Sequence, residues 1–301
     1  MNIEIQKISL NIGPYSIHAI PTGIFGLDGG AMFGTVPKIL WEKNIPADKD
    51  NRIPLEARAL LLKSSNKNIL IDCGNGSDFI AKYGEKLGGK FNQMYNIDDS
   101  GPNLLKSLST HGISSTDITD VILTHLHFDH CGGATCLDKN SNTLIPTFKN
   151  AKYYVQKTNL ETAQNPNLRE RASYYKANFQ PLIDSNVIQL VDGDISNILP
   201  NISLQISNGH TTGQQIVIIK DENTTLIYAA DTIPTSSHIR LAWVMGYDLD
   251  PMTLILEKQK IIDKIADKNS YVFFEHDPFC DLASVTKSTE DFKIKQKFNL
   301  I

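Results

Sequence analysis

The chain has 301 residues, of which 41% are hydrophobic and 21% are charged, and its formal net charge at pH 7 is −4. This composition is typical of a globular protein with one large domain or two small ones, and the acidic balance argues against a nucleic-acid-binding surface. No segment approaches the ~20 consecutive apolar residues of a membrane helix, and the N-terminus lacks the apolar core of a signal peptide. We therefore predict a cytoplasmic protein that does not bind membranes.

The first half of the chain alternates short apolar segments with turn-forming residues, which is typical of strands joined by tight turns. In chain order it predicts two strands within residues 2–27, a long loop at 27–54, hairpin strands at 59–62 and 68–72, helices at 77–89 and 103–111, and a strand at 120–127. The loop at 27–54 is rich in glycine, proline and charge but also carries aromatic side chains. We expect it to pack over an active site or a dimer interface and not to be disordered.

The second half of the chain continues with strands and a few helices. In chain order it predicts a strand at 152–159, mostly helical structure at 159–180, strands at 187–193, 202–208, 215–221 and 224–231, a helix at 251–268, a strand at 271–277, and a charged helix or mobile end from Ala283. Strands dominate both halves, which favours an α/β (α+β) fold with two sheets packed face to face and helices outside. We find no internal repeat, and we predict a single domain over residues 1–301.

The segment at 121–133, VILTHLHFDHCGG, joins a buried apolar strand to a cluster of metal-ligand residue types. Histidine nitrogen and carboxylate oxygen are ligands that Zn²⁺ takes. Side chains two apart in an extended segment point the same way, so His125 and His127 can share one metal. Asp129 and His130 follow where the strand ends, and there they can turn toward a second metal.

Three further residues of metal-ligand type lie downstream, each at the end of a predicted strand: His210, Asp231 and His276. Such positions often carry function because a rigid scaffold holds the loop that begins there. Cys131 directly follows the histidine cluster, and two interpretations of it stay open: a small buried hydrophobic residue, or a group close to the metals. The four cysteines are too few and too dispersed for a disulfide framework.

The blocks HLHFDH, NGHTTG, AAD and FEHD, in this order and spacing, resemble the metal-binding motifs of the metallo-β-lactamase superfamily. The resemblance covers most of the chain and implies a four-layer αββα sandwich. It also implies a ligand set: His125, His127 and His210 for one metal, Asp129, His130 and His276 for the other, and Asp231 as the bridge between them. Where many members have Pro-Gly-His, this chain has Asn-Gly-His at 208–210.

Three longer blocks resemble one branch of that superfamily: LDGGAMFGTVPKILWEK, DTIPTSSHIRLAWVMGYDLDP and FFEHDP. This branch contains methyl parathion hydrolase and quorum-quenching N-acyl homoserine lactone lactonases, and the resemblance implies a homodimer. Other lactonases of the superfamily carry a tyrosine three residues after the bridging aspartate, and here that position is Pro234. His238 and Tyr247 are candidate replacements for this donor, and a structural role for each stays open.

Two neighbouring divalent metals lower the pKa of a water molecule that they share, which yields a bridging hydroxide near neutral pH. We therefore predict a dinuclear metal-dependent hydrolase that opens lactones, such as N-acyl homoserine lactones, or cleaves esters and organophosphate esters. Asp129 and Asp231 are the predicted catalytic residues, as charged ligands that also pass a proton to the leaving group. Zinc is the expected metal, and iron, manganese and cobalt suit the same ligands.

Apolar and aromatic residues near the ligand blocks are candidates for a wall that binds an apolar acyl or aryl group: Phe33, Trp41, His238, Trp243 and Met245. Each of them also fits an ordinary core position. Three other functional hypotheses stay open. They are a mononuclear iron oxidoreductase resembling persulfide dioxygenases, a thioesterase resembling glyoxalase II, and a non-catalytic metal-binding scaffold. Metal stoichiometry and oxygen uptake would separate the first of these from a dinuclear hydrolase.

Overall fold

The computed structural model describes residues 3–97, 101–289 and 291–301 of the chain. Its strands are β1 (Ile5–Ile8), β2 (Leu10–Ile12), β3 (Tyr15–Asp28), β4 (Arg52–Lys63), β5 (Asn68–Ile71), β6 (Asp120–Ile122), β7 (Thr135–Asp138), β8 (Thr143–Pro146), β9 (Lys152–Gln156), β10 (Ile188–Val191), β11 (Ile195–Leu199), β12 (Ile202–Ser207), β13 (Gln214–Lys220), β14 (Thr225–Tyr228), β15 (Ser270–Phe273), β16 (Leu282–Lys287) and β17 (Phe292–Leu300). Its α-helices are α1 (Gly29–Phe33), α2 (Lys38–Trp41), α3 (Phe79–Tyr95), α4 (Leu104–Thr110), α5 (Phe128–Cys131), α6 (Lys157–Gln164), α7 (Gln180–Asp184) and α8 (Pro251–Ile265).

The strands form two large mixed sheets and one small hairpin. The eight-stranded sheet has the order β1-β17-β16-β15-β14-β13-β12-β11, and the seven-stranded sheet has the order β10-β9-β6-β5-β4-β3-β2. Strands β7 and β8 pair with each other. None of the helices in the described part of the chain has the length and apolar character needed to cross a membrane.

The chain divides into two compact units. Unit 1 comprises Met1–Ala19, Gly26–Leu55 and Gly193–Ile301, and unit 2 comprises Ile20–Phe25 and Glu56–Asp192. Unit 1 contains the whole eight-stranded sheet, together with α1, α2 and α8. The prediction of a single domain over residues 1–301 stays a prediction.

Each unit has its own hydrophobic core. In unit 2, Leu60 and Leu61 of β4 and Leu70 of β5 are fully buried. Such near-continuous burial is typical of a strand covered on both faces, and it explains the unbroken apolar sequence ALLL at 59–62. In unit 1, α8 buries Ile261 and Ile262 in a core that also includes residues of β13, β14 and β15. Asp250 caps α8 by accepting a hydrogen bond from Thr253 N at 3.0 Å, and Pro251 occupies its first turn.

Most predicted elements are confirmed within a few residues, including the β4–β5 hairpin and helix α8. The loop at 27–54 proves to contain the short helices α1 and α2, and β4 begins at Arg52. The predicted helical structure at 159–180 is wrong for its middle part, because α6 ends at Gln164 just before Asn165-Pro166. Residue 2, where the first predicted strand begins, lies outside the described residues.

The prediction for the end of the chain is wrong. The segment from Ala283 forms most of β16 and all of β17, not a charged helix or a mobile end. Phe292 and Phe298 are buried, whereas the lysines between them lie on more exposed positions. The apolar and charged residues in FKIKQKFNL therefore alternate with the two-residue period of a half-buried strand. The high lysine content of the segment made this strand pattern hard to recognise in the sequence.

Candidate metal centre

In unit 2, the HLHFDH block follows β6, whose parallel neighbours are β5 and β9. All four candidate ligands of the block are buried: His125, His127, Asp129 and His130. The ring centroids of His125 and His130 lie 3.9 Å apart, and those of His125 and His127 lie 4.5 Å apart. The structure therefore brings the histidines of this block together at the end of β6. Asp129 and His130 lie in the short helix α5, where the strand direction is lost, as the sequence predicted.

Asp72 orients His130 from the end of the neighbouring strand β5. The carboxyl ends of parallel strands meet at one sheet edge, and the Oδ2 atom of Asp72 lies 3.1 Å from His130 Nδ1. The same fully buried carboxylate accepts hydrogen bonds from Thr124 N at 2.7 Å and from Thr124 Oγ1 at 2.6 Å. The sequence motifs do not include Asp72, although its place at the end of a buried strand is the same signal that marks the candidate ligands.

His127 has two further neighbours that the sequence did not predict. Glu170 Oε2 lies 3.8 Å from His127 Nε2, and the ring centroid of Tyr174 lies 4.6 Å from that of His127. Asn159 is fully buried and accepts a hydrogen bond from Leu126 N at 2.9 Å, which fixes the backbone between the two histidines of the H-x-H pair. These groups lie 32 to 47 positions from His127 along the chain, so no local pattern reveals them.

In unit 1, the three downstream candidates meet at one edge of the eight-stranded sheet. Strands β14 and β15 are parallel, and β12 runs in the same direction because it is antiparallel to β13, which is antiparallel to β14. His210, Asp231 and His276 follow these three strands and are buried. One oxygen of Asp231 lies 3.1 Å from His210 Nε2, and the other lies 3.2 Å from His276 Nε2.

A second carboxylate orients His210. Asp248 Oδ1 lies 2.9 Å from His210 Nδ1, and its Oδ2 accepts a hydrogen bond from Met245 N at 2.7 Å. Burial raises the pKa of Asp248, and the contact with His210 opposes that rise. Asp72 and Asp248 thus play the same part in the two units, since each faces the Nδ1 side of a candidate ligand.

The backbone before Asp231 is held in a conformation that favours glycine. Ala230 has a φ of 46°, in the left-handed region, and is buried. A non-glycine residue in this region costs roughly 1–2 kcal/mol, and such positions cluster at functional sites. The turn bends the chain sharply at the end of β14, immediately before the candidate bridging carboxylate.

Four of the five predicted substrate-wall residues form one aromatic cluster in unit 1. Phe33 stacks on Trp41 with ring centroids 5.3 Å apart and on His238 with centroids 4.7 Å apart. The rings of Phe33 and Trp243 are nearly perpendicular, with centroids 5.7 Å apart. Met245, the fifth residue, is buried. The 27–54 segment therefore packs its aromatic residues onto the segment that follows Asp231, and contact with a substrate stays a prediction.

The structure gives His238 and Pro234 structural contacts. The Nδ1 atom of His238 lies 2.8 Å from Thr235 Oγ1, and its Nε2 lies 2.9 Å from the carbonyl oxygen of Met32. Burial lowers the pKa of this histidine to about 3, so its ring is neutral at ordinary pH. The carbonyl oxygen of Pro234 accepts a hydrogen bond from His276 N at 3.1 Å. These contacts support the structural interpretation of His238 over its use as a substrate donor.

Cys131 fits the interpretation of a buried hydrophobic residue. It is fully buried in the core of unit 2, and its Sγ donates a hydrogen bond to the carbonyl oxygen of Leu126 at 3.2 Å. Burial raises the pKa of its thiol well above the usual value. The hydrogen bond and the apolar surroundings account for Cys131 as a core residue.

The residues of both units fit the chemistry of divalent metal ions. All seven predicted ligands belong to buried groups able to hold a metal ion. Buried ionisable residues are rare unless they are paired or bind a metal, and imidazole and carboxylate donors suit zinc, iron, manganese and cobalt. Asp72 and Asp248 face the Nδ1 atoms of two histidines, so that Nε2 is the side of each ring that would bind a metal.

The chain is similar to one protein family and to several curated proteins. The family model described as Metallo-beta-lactamase superfamily matches residues 53–276. The chain is 25% identical over 222 residues to N-acyl homoserine lactonase AiiA of Bacillus thuringiensis subsp. kurstaki, covering 72% of this chain and 79% of that protein. It is 21% identical over 259 residues to N-acyl homoserine lactonase AttM of Rhizobium radiobacter, covering 85% of this chain and 93% of that protein.

Solved structures share the fold across nearly the whole chain. A probable metal-dependent hydrolase from Staphylococcus aureus superimposes with a TM-score of 0.83 at 30% identity, covering 96% of this chain and 98% of that one. AidC, a dizinc quorum-quenching lactonase in complex with a homoserine product, superimposes with a TM-score of 0.75 at 22% identity, covering 96% and 97%. The α/β fold class inferred from the sequence is confirmed.

Proposed function

The chain belongs to the metallo-β-lactamase superfamily and is a metal-dependent hydrolase, and on this basis we propose that it uses two divalent metal ions to open lactone rings. The proposed substrates are lactones of the N-acyl homoserine type, with related carboxylic and organophosphate esters as further substrates. The curated relatives AiiA and AttM are N-acyl homoserine lactonases, which supports the substrate class.

The arrangement of Asp231 carries the proposal of a dinuclear centre. Its two oxygens each approach the Nε2 atom of a different histidine, His210 on one side and His276 on the other, at 3.1 and 3.2 Å. A carboxylate whose oxygens face two separate imidazoles fits the role of a bridge between two ions. We therefore propose Asp231 as the bridging ligand.

The other ligands are assigned by the superfamily pattern. We propose that His125, His127 and His210 bind one ion and that Asp129, His130 and His276 bind the other. Burial of all six side chains and the contacts of Asp72 and Asp248 with His130 and His210 support this assignment. Zinc is the proposed metal, because the structurally similar AidC is a dizinc lactonase and the nitrogen and oxygen donors suit zinc.

In lactone opening, the oxygen of a water molecule bonds to the carbonyl carbon and the water gives up a proton; the ring C–O bond breaks, and the ring oxygen takes up that proton, so that the product is a hydroxy acid. When bound, the two ions would supply Lewis acidity and lower the pKa of the attacking water. Asp129 is the residue that we propose carries a proton to the leaving oxygen, because it lies in the first turn of α5 beside the histidine cluster. Asp231, the proposed bridging ligand, is the second residue that we propose passes a proton to the leaving group.

The aromatic cluster of Phe33, Trp41, His238 and Trp243, with Met245, is the proposed wall for the apolar acyl or aryl group of the substrate. Support comes from the mutual stacking of these buried side chains, which holds Phe33 and Trp41 of the 27–54 segment against the segment that follows Asp231. We further propose a homodimer, as the resemblance to the parathion hydrolase branch implies. A cytoplasmic location stays a prediction.

The first experiment is the metal content of the purified protein, together with hydrolysis rates on N-hexanoyl homoserine lactone, an aryl acetate and an organophosphate triester before and after chelation. Two ions per chain and chelator-sensitive hydrolysis would support the proposal, and the ranking of rates would identify the preferred substrate. One iron per chain with oxygen uptake and no hydrolysis would overturn it in favour of an oxidoreductase.

A matched pair of histidine variants tests the assignment of ligands. H127N removes a proposed ligand, whereas H111N changes a partly exposed histidine at the end of α4. We expect H127N to lower kcat/KM by on the order of 100-fold or more and H111N to leave it unchanged. Equal activity in both variants would show that His127 is not a ligand.

A further inference from the structure

The carboxylate of Glu257, in helix α8, holds the loop that leads to His210. The Oε1 atom of Glu257 accepts a hydrogen bond from Asn208 N at 2.9 Å. Its Oε2 atom accepts hydrogen bonds from the Ser207 hydroxyl at 2.7 Å and from Gly209 N at 3.1 Å. One carboxylate therefore binds three donors from three consecutive residues, at the point where β12 ends.

The carbonyl groups of the same loop are held by the segment that leads into α8. Asp250 N donates to the carbonyl oxygen of Gly209 at 2.9 Å, and Leu249 N donates to that of His210 at 3.1 Å. Gly209 packs so closely on α8 that an added Cβ would lie 2.5 Å from backbone atoms of Leu254. The loop is thus fixed through its amides by Glu257, through its carbonyls by 249–250, and by direct packing.

We propose that Glu257 is a positioning residue that sets the place and direction of the His210 ring. This inference rests on the proposed metal centre, because it concerns a proposed ligand of that centre. Glu257 fixes the backbone before His210, and Asp248, nine residues earlier in the chain, fixes the ring through Nδ1. Between them the two carboxylates define both the Cα position of His210 and the side on which its Nε2 lies.

The three donors require a carboxylate at this position. A glutamine has the same shape but only one acceptor oxygen, and its amide NH₂ would face at least one of the N–H groups that now donate to Glu257. Two donors facing each other cannot form a hydrogen bond, so the loop has to shift away from α8. E257Q therefore changes the loop before His210 without removing volume from the core.

The test compares E257Q with D263N, which removes the same charge from an exposed position of the same helix. Asp263 lies six residues further along α8 than Glu257, and its exposed side chain forms an ion pair with Lys287 at 2.7 Å. Zn²⁺ affinity is measured by competition with a chromogenic chelator. Amide hydrogen exchange at residues 208 and 209 is measured in the metal-free protein.

We expect E257Q to weaken one of the two zinc sites by on the order of 10-fold, the range typical of residues that orient metal ligands. Exchange at residues 208 and 209 should become faster, whereas D263N should match the wild-type protein in both measurements. Unchanged zinc affinity in E257Q would overturn the inference and leave the proposed function intact. An equal loss in D263N would also overturn it, since the effect would then come from charge alone.

The metal content of the wild-type protein distinguishes failure of the proposed function from failure of the proposed role of Glu257. If the wild-type chain binds no divalent metal, the proposed function fails and the positioning role fails with it. If the wild-type chain binds two ions and exchange at residues 208 and 209 is the same in E257Q, only the positioning role fails.

Discussion

Replacing Asp72 tests how the histidine cluster of unit 2 is oriented. The fully buried carboxylate accepts from Thr124 N at 2.7 Å and from Thr124 Oγ1 at 2.6 Å, and it lies 3.1 Å from His130 Nδ1. In D72A the Thr124 amide and the His130 ring lose their acceptor, while the Thr124 hydroxyl can still turn toward His125 Nδ1, 3.1 Å away. Two buried donors left without acceptors cost about 2–6 kcal/mol of unfolding free energy.

D72N separates folding from metal binding. The asparagine keeps one oxygen for Thr124 N, but its NH₂ group replaces the oxygen that faces His130 Nδ1. The Nδ1 atom of His130 then has to accept a hydrogen bond from this NH₂ group, so the proton of the His130 ring moves to Nε2, the side proposed to bind a metal. We expect D72N to lose less unfolding free energy than D72A but to weaken zinc binding by on the order of 10- to 100-fold.

The assays are urea unfolding of the metal-free proteins and zinc competition. T124S is the control, because it keeps the amide and hydroxyl contacts with Asp72 and removes only one buried methyl group; we expect it to cost about 1 kcal/mol and to change zinc affinity little. Wild-type zinc affinity in D72N would refute the reasoning, since His130 would then not bind the metal through Nε2.

Three further predictions concern groups outside the ligands. Burial lowers the pKa of Lys258 to about 7 from its ordinary 10.5, so between these pH values the unfolded chain carries a proton on this residue that the folded chain lacks. The unfolding free energy of the wild type relative to K258M, measured by urea titration, should therefore rise from pH 7 to 10.5 by at most about 1.4 kcal/mol per pH unit. A pH-independent difference would show that the ammonium persists in the fold. G209A should lower the unfolding free energy by about 1–3 kcal/mol, because its Cβ would meet the backbone of Leu254; an unchanged urea midpoint would show that the loop moves aside freely. In the native protein a thiol reagent should modify Cys136, which is partly exposed, and should leave Cys131 unmodified until the chain unfolds, as mass spectrometry of the labelled peptides would show.

The residue pattern was sufficient to predict the candidate ligands because each lies at the end of a strand. Strand direction explains why they converge. His210, Asp231 and His276 follow three strands of one sheet that point the same way, and strands pointing the same way end at one edge. The apolar runs that mark these strands are visible in the sequence, and so are the residues directly after them.

The groups that orient the ligands were not predictable in this way. Asp248 and Glu257 lie 38 and up to 50 positions from the groups they contact, and both are ordinary acidic residues in the sequence. Their roles depend on the path of the chain into α8, and the hydrophobic periodicity of the sequence does not predict that path. The strands at the end of the chain were missed for another reason: the lysines of β17 lie on its more exposed positions and hide the apolar alternation of Phe292, Ile294 and Phe298.

Helix α8 contacts both the loop that leads to His210 and the turn that carries part of the aromatic cluster. Lys258 is fully buried, and its Nζ atom lies within hydrogen-bond distance, 2.7 to 3.2 Å, of the carbonyl oxygens of His238, Arg240 and Trp243. These carbonyl groups belong to the turn that carries His238 and Trp243 of the aromatic cluster, so contacts with this lysine organise that turn. Adjacent residues of one helix, Glu257 and Lys258, thus hold the two loops on which His210 and the proposed substrate wall depend. A shift of α8 would alter both loops together, so substitutions that disturb its packing should change metal affinity and substrate preference at the same time.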